Sequence, residues 1–295
     1  MALNLVSPPL IDRPDFEQLL EAGRFGVWSP QARALHDQGF CVLDLDRTSL
    51  GELPEATLGA LQPALAPQAE AWRRGEGGTP RVQDAWQQHP EVLALACLPE
   101  ILECLRCLYG REPFPFQTLN FAVGSEQHFH SDAVHFHSYP HGFMCGVWIA
   151  LEDVLPGSGP LLYFPGSHRE QYQSAASLGL DPAQVAAEPH PQCFFEAGWR
   201  EAVELRGYGQ EQFLPLRGQA LIWHANLLHG GTPVADRSLS RWSQVTHYYF
   251  ADCLHTTPLL SFGHDHGGAS LRNPFNLLTG TRRFSEAEWQ ALILT

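Results

Sequence analysis

Apolar residues recur at helical spacing through the first third of the chain and at strand spacing through most of the rest. Ser29-Pro30 reads as a helix start, a hydroxyl cap followed by proline at the first helical position, and Gly39 reads as its stop. The run Phe40 to Leu45 then predicts a strand. Residues 54–74 and 89–109 carry two more helical patterns, separated by a loop near Gly75 to Pro80. From about Phe114 the texture changes to short runs of β-branched and aromatic residues between Gly, Pro and Asn punctuation. These runs are Phe116 to Val123, Phe143 to Leu151, Pro160 to Phe164, Ala202 to Arg206, Gln219 to His224 and Trp242 to Phe250.

Many short strands with turn signals between them predict a sandwich or barrel. No helices alternate with them, which excludes a doubly wound parallel sheet. The expected fold is therefore mainly β with flanking α, with an N-terminal helical region. Residues 171–198, rich in Ala, Pro and Gln, read as an inserted loop or lid with a short helix. Ser285 to Glu288 forms a capping-box start for a terminal helix over Trp289 to Leu294. There is no internal repeat, and the expected organisation is a single domain over 1–295, with 253–295 as a C-terminal extension.

Composition narrows the chemistry. The net charge of −14 disfavours nucleic acid and anionic membranes as partners. All 18 basic residues are arginine. Without a lysine amine, Schiff-base chemistry, a lysine general base and a Walker-type phosphate loop are excluded, and any carboxylate clamp must be an arginine. The 7 cysteines, at irregular spacing, do not form a disulfide framework. Cys104 and Cys107 form a lone CxxC inside an apolar helical pattern and read as core residues. The N-terminus lacks the basic and apolar regions of a signal peptide, and no apolar run approaches the ~20 residues of a membrane helix. A soluble, cytoplasmic protein acting on a small molecule is expected.

The histidines carry the sharper signal. On a strand, His130 and Asp132 in His-x-Asp would share a face. A third ligand, His229, lies far along the chain in Leu227-Leu-His-Gly-Gly. Two imidazoles and one carboxylate leave three positions open on an octahedral metal, the arrangement of non-haem iron(II) oxygenases. Arg241 lies 12 residues beyond His229 at the head of a strand pattern, and Ser243 shares its face. That pair suits a carboxylate, as in a 2-oxoacid co-substrate.

With the opening Gly39-Phe-Cys-Val-Leu43, Trp148, Gly159-Pro-Leu-Leu-Tyr-Phe-Pro-Gly-Ser-His168 and the His229-Gly pair, this set resembles the phytanoyl-CoA dioxygenase family of Fe(II)/2-oxoglutarate-dependent oxygenases. The resemblance covers roughly residues 30–252. It implies a double-stranded β-helix, a jelly-roll or cupin-like barrel beginning near residue 114. It implies iron held by His130, Asp132 and His229, with dioxygen and 2-oxoglutarate as co-substrates and Arg241 on the distal carboxylate. Gln117 and Asn120 are candidates for the proximal carboxylate, and Trp148 for barrel core or a wall beside the co-substrate. The implied reaction is hydroxylation of a C–H bond with release of succinate and carbon dioxide.

Other readings stand beside this one. Arg237, 8 residues after His229, competes with Arg241 but sits in a Pro/Asp/Ser turn. The presence of Asp132 disfavours halogenation, in which a small residue replaces the metal carboxylate. His135, Phe136, His137 and His141 follow the metal carboxylate and are candidates for the substrate pocket. His128, His168, His224 and His247 read as ordinary surface or core histidines. His128-Phe-His130 and His135-Phe-His137 also suggest a cupin that binds metal without the oxoacid, although no glutamate follows either; a metal-free barrel is the third reading. A strongly acidic chain favours a small free metabolite or natural-product intermediate over an acyl-CoA. Desaturation or cyclisation in place of hydroxylation stays open.

Overall fold

The computed structural model describes residues 6–45, 50–263 and 268–293. The helices are α1 (Phe16–Glu21), α2 (Ser29–Gln38), α3 (Leu53–Arg73), α4 (Pro90–Ala96), α5 (Pro99–Tyr109), α6 (Pro182–Ala187), α7 (Cys193–Arg206) and α8 (Glu286–Ile293). The strands are β1 (Phe40–Asp44), β2 (Arg81–Gln83), β3 (Pro113–Phe121), β4 (His137–Tyr139), β5 (Met144–Ala150), β6 (Leu161–Tyr163), β7 (Glu211–Phe213), β8 (Gln219–His224), β9 (His229–Gly231), β10 (Ser243–Phe250), β11 (Leu254–Thr256), β12 (Leu271–Arg272), β13 (Phe275–Asn276) and β14 (Thr281–Arg282).

Most expected elements form near their expected bounds. α2 ends where Gly39 takes the left-handed conformation at φ 82°. Its start differs in detail: Ser29 is inside the helix and its hydroxyl donates to the Gly26 carbonyl at 2.7 Å. The pattern over 89–109 resolves into α4 and α5, broken before Pro99, whose ring keeps Leu98 out of the helical region. Ser285 and Glu288 exchange the expected capping contacts ahead of α8. Leu294 and residues 1–5 of the segment read for a leader lie outside the described residues.

One expected strand is helix. Ala202 to Arg206 is the last part of α7, because Phe195, Trp199 and Val203 recur every four residues and bury one helical face with Leu162, Phe164 and Leu228. The segment at 171–198 is accordingly more helical than expected, with α6 held by a full capping box at Asp181.

β1-β8-β5-β10-β3-β2 form one six-stranded antiparallel sheet. Its two faces bury different partners. Cys41, Val147, Ile149, Ile222 and Tyr248 pack against the helices through Leu35, Leu61, Leu95 and Leu105. The opposite face sends Phe40, Trp148, Leu221 and Val245 into a second core with Leu161, Tyr163 and Phe213 of the three-stranded sheet β7-β6-β9. Two antiparallel sheets sharing a core make a sandwich. A third small sheet, β12-β11-β4, closes one end. Among the described residues, no helix is long and apolar enough to cross a membrane.

Two buried histidines outside the cavity at the triad bear on stability. Burial pushes the His255 imidazole down to about 3, against Tyr249 at a ring separation of 4.1 Å. Burial also pushes His168 down to about 3, reinforced by neighbouring His224. Both rings stay neutral in the folded chain over a range where the unfolded chain protonates them, near pH 6.5. The unfolded state therefore binds more protons, and stability falls as pH drops from about 6.5 toward 3. Urea unfolding of the metal-free protein is expected to show a lower midpoint at pH 5 than at pH 7. In His255→Leu that pH dependence should be shallower; an unchanged slope would show that His255 does not titrate with unfolding.

Candidate metal centre

The two histidines of the candidate triad are fixed by backbone before side chains matter. His130 and His229 form an isolated antiparallel bridge. The His130 amide donates to the His229 carbonyl at 2.8 Å, and the His229 amide to the His130 carbonyl at 3.0 Å. β9 can lie this close because Gly230 follows His229: a Cβ there would stand 2.7 Å from the Gln127 carbonyl oxygen and 2.9 Å from Phe129 backbone. His130 and Asp132 are not on a regular strand as expected. Asp132 opens a short 3-10 turn, Asp132–Val134, capped by Ser131 Oγ, which accepts from the Ala133 amide. Ser131 Oγ also donates to Asn226 Oδ1 at 2.8 Å, tying the turn to the segment that leads into β9.

Both imidazoles are oriented by the same local device. His130 Nδ1 donates to the His128 carbonyl and His229 Nδ1 to the Leu227 carbonyl, each at 3.0 Å and each two residues upstream. A carbonyl only accepts, so Nδ1 carries the proton and Nε2 keeps its lone pair. The two Nε2 atoms face Asp132, at 3.5 Å from Oδ1 for His130 and 3.7 Å from Oδ2 for His229. One ligand atom from each of the three residues lies within 4.8 Å of the others, and all three residues are buried. Burial pushes His229 down to about 4, so the ring is neutral at pH 7. Burial also opposes ionisation of Asp132, but its histidine neighbours, His229 first and then His247 and His130, favour the carboxylate and hold it well below its usual range. The resulting donor set, two imidazoles and one carboxylate, is the chemistry a divalent first-row metal takes.

The triad opens on a cavity of about 310 Å3 whose lining includes Gln117, His135, Phe136, Trp148, Arg241 and His247. Arg241 is 1% exposed. It donates through one terminal nitrogen to the Gly159 carbonyl at 2.8 Å, while its Nε has no partner. Burial pushes its guanidinium down to about 10, so it is still charged at neutral pH. Among the described residues no carboxylate pairs with it. Ser243 Oγ and Trp148 Nε1, on neighbouring strands, are likewise buried without partners. A buried cation with two idle polar groups beside it fits a ligand carboxylate. Arg237 is elsewhere: it donates to the Trp72 carbonyl at 3.0 Å and lies over that indole on the helical side.

The remaining candidates divide. Gln117 lines the cavity and accepts from His247 Nδ1 at 3.1 Å. Asn120 does not reach it. Three residues apart on a strand means opposite faces, and Asn120 donates to Gln244 Oε1 on the helical side. His135 and Phe136 line the cavity, with His135 Nε2 at 3.0 Å from Gln192 Oε1 at the start of α7. His137 and His141 are not substrate-pocket residues of this cavity. They contact one another and Tyr172, and His141 lines a separate cavity with Asp12, His168 and His224. The reason is β4, which pairs His137 with Thr256 of β11 and carries the chain away from the metal side. Two further residues lie beside Asp132: Trp223, which carries no signal in the sequence, and His247, which reads there as an ordinary histidine but lines this cavity. His247 could have been found by counting, since it continues the alternate positions Ser243 and Val245.

The phytanoyl-CoA dioxygenase (PhyH) family model matches residues 35–239. Phytanoyl-CoA dioxygenase domain-containing protein 1 of Danio rerio is 42% identical over 48 residues, 16% of this chain, and the match spans only 16% of that protein. Among solved structures, EctD from S. alaskensis in its apoform superposes with a TM-score of 0.57 at 21% identity, covering 84% of this chain and 85% of that one. The non-heme alpha-ketoglutarate-dependent carbocyclase SnoK from nogalamycin biosynthesis gives 0.54 at 19%, covering 82% and 90%. The likeness identifies the sandwich as a double-stranded β-helix.

Because Gly230 sets the approach of β9, Gly230→Ala should part the bridge between His130 and His229. The metal-free protein is expected to lose roughly 1–3 kcal/mol of stability by urea unfolding, as overpacking against fixed backbone does. Wild-type stability in this variant would mean that the segment 127–130 yields freely.

Proposed function

Since the chain belongs to the phytanoyl-CoA dioxygenase family, whose members are Fe(II)/2-oxoglutarate-dependent dioxygenases, we propose that its triad holds iron and that it hydroxylates a C–H bond of a small polar metabolite. The observation that carries the reading is the pairing, in one cavity, of the His130–Asp132–His229 donor set with a buried arginine that has no counter-ion among the described residues. EctD has been solved with bound Fe and with 2-oxoglutarate and 5-hydroxyectoine, and the epimerase SnoN with Fe3+, alpha ketoglutarate and nogalamycin RO. These support the same pair of cofactors here.

When bound, iron with 2-oxoglutarate supplies the oxidative decarboxylation to succinate and carbon dioxide that activates dioxygen for the substrate. The protein's part is binding, orientation and exclusion of water. His130 and His229 present Nε2 and Asp132 presents a carboxylate oxygen. Arg241, helped by Ser243 and Trp148, takes the distal carboxylate of 2-oxoglutarate, and Gln117 is placed for the proximal one. His135 and Phe136, with Gln192 arriving from α7, bound the space left for substrate.

Size and charge support a small substrate. Co-substrate and substrate share about 310 Å3. Among the described residues Arg81 and Arg241 are the only arginines lining it, which is little basic surface for the phosphates of a CoA nucleotide.

Anaerobic titration of the purified protein with iron(II) and 2-oxoglutarate tests the reading. A weak visible metal-to-ligand charge-transfer band is expected, and it should be absent in His130→Ala. In Arg241→Met, iron should still bind while 2-oxoglutarate affinity falls roughly 10- to 100-fold, the worth of a charge-assisted hydrogen-bonded pair. Iron binding without the band would favour a cupin-like metalloprotein. If Arg237→Met weakened 2-oxoglutarate binding instead, the clamp is misassigned.

A further inference from the structure

The Asp132 carboxylate has a partner that no motif announces. Trp223, on β8, donates Nε1–H to Asp132 Oδ2 at 2.8 Å. Trp223 is 1% exposed and Asp132 4%, so water does not compete for this bond. His247 Nε2 stands 3.4 Å from the same oxygen, whereas Oδ1 is the oxygen nearer His130 Nε2, at 3.5 Å. The two carboxylate oxygens are therefore in different surroundings: Oδ2 accepts from the Trp223 N–H and lies 3.7 Å from His229 Nε2, while Oδ1 carries no such bond and faces His130 Nε2.

The indole reaches Asp132 because the sheet makes room for it. In the β5–β8 ladder Trp223 lies directly opposite Gly146. A Cβ at 146 would come within 2.1 Å of Cζ2 and 2.2 Å of Cε2 of the indole, so the ring occupies the space that any other residue would fill. The indole also packs against the His229 ring, with centroids 4.7 Å apart. Its hydrogen bond is not a general consequence of burying tryptophan on this face. Trp148, its inward-facing neighbour two positions along β5 from Gly146, has its N–H unpartnered.

The chemical meaning lies in how many positions the carboxylate takes. An octahedral ion bound by two imidazoles and one carboxylate oxygen keeps three positions open; a carboxylate bound through both oxygens leaves two. A 2-oxoacid chelate and dioxygen together need three. On the reading that the triad holds iron, we propose that Trp223 is the positioning residue of the metal centre. Its N–H holds Oδ2 so that Asp132 meets the metal through Oδ1 alone, with Gly146 as the space that allows it.

The test replaces the Trp223 indole by benzothiophene, which keeps the ring shape and has no N–H, alongside Trp223→Phe. Iron(II) affinity is measured anaerobically on the whole chain, and thermal midpoints of the metal-free proteins are compared. Both variants are expected to bind iron about 10- to 100-fold more weakly, as loss of a partner to a ligand typically does. The benzothiophene protein keeps the ring's packing, so its metal-free midpoint should fall less than that of Trp223→Phe while its iron affinity falls as far, which separates positioning from packing. Parent-like iron affinity in the benzothiophene protein would overturn the proposal while leaving the triad intact. If the parent bound no iron, or His130→Ala bound it equally well, the triad reading itself would fail, a result distinct from the first.

Discussion

Alternation along β3, β5, β8 and β10 divides the six-stranded sheet into two faces with different tasks, and every side chain near the triad depends on that division. Residues at one parity face the helices and form an apolar core, interrupted by a hydrogen-bonded polar chain from Asn120 to Gln244 and on to the Val92 carbonyl. Residues at the other parity face the second sheet and include Gln117, Trp148, Trp223 and His247. A slip of one residue would exchange the two sets. The only register change along β10 falls between His247 and Tyr248, beyond the last inward position that touches Asp132.

Arg241 shows what such a face holds at a cost. A guanidinium removed from water without an anion is destabilising, and its single carbonyl contact compensates only partly. The chain nevertheless carries an excess of acidic residues, none of which is placed against it among the described residues. Destabilisation of this kind in the free protein is relieved when an anion arrives, so part of the binding free energy for a carboxylate is already stored in the fold.

The sequence was most informative where chemistry and spacing coincide. His130, Asp132 and His229 stand out because few other tasks need that donor set, and Gly39 fixes the end of α2 because φ is positive there. The Ala202 to Arg206 segment misleads when read as five residues, while the longer spacing of Phe195, Trp199 and Val203 shows the helix. Asn120 fails by strand parity, which the sequence alone could have exposed. His137 and His141 are near Asp132 in sequence, and their departure is set by pairing between β4 and β11, a long-range event with no local signal. Trp223 is invisible for the same reason: its partner Asp132 and its space at Gly146 belong to other segments.

The bridge between His130 and His229 also bears on the order in which the molecule comes into being. Its two halves are separated by almost a hundred residues, including α6, α7 and five strands. Closing so long a loop is entropically unfavourable until the intervening sheets are in place. An incomplete chain offers a metal only His130 and Asp132 on a short loop, a weak and unselective pair. If the triad holds the metal as proposed, high-affinity loading is a late step of maturation, confined to chains whose topology is already correct.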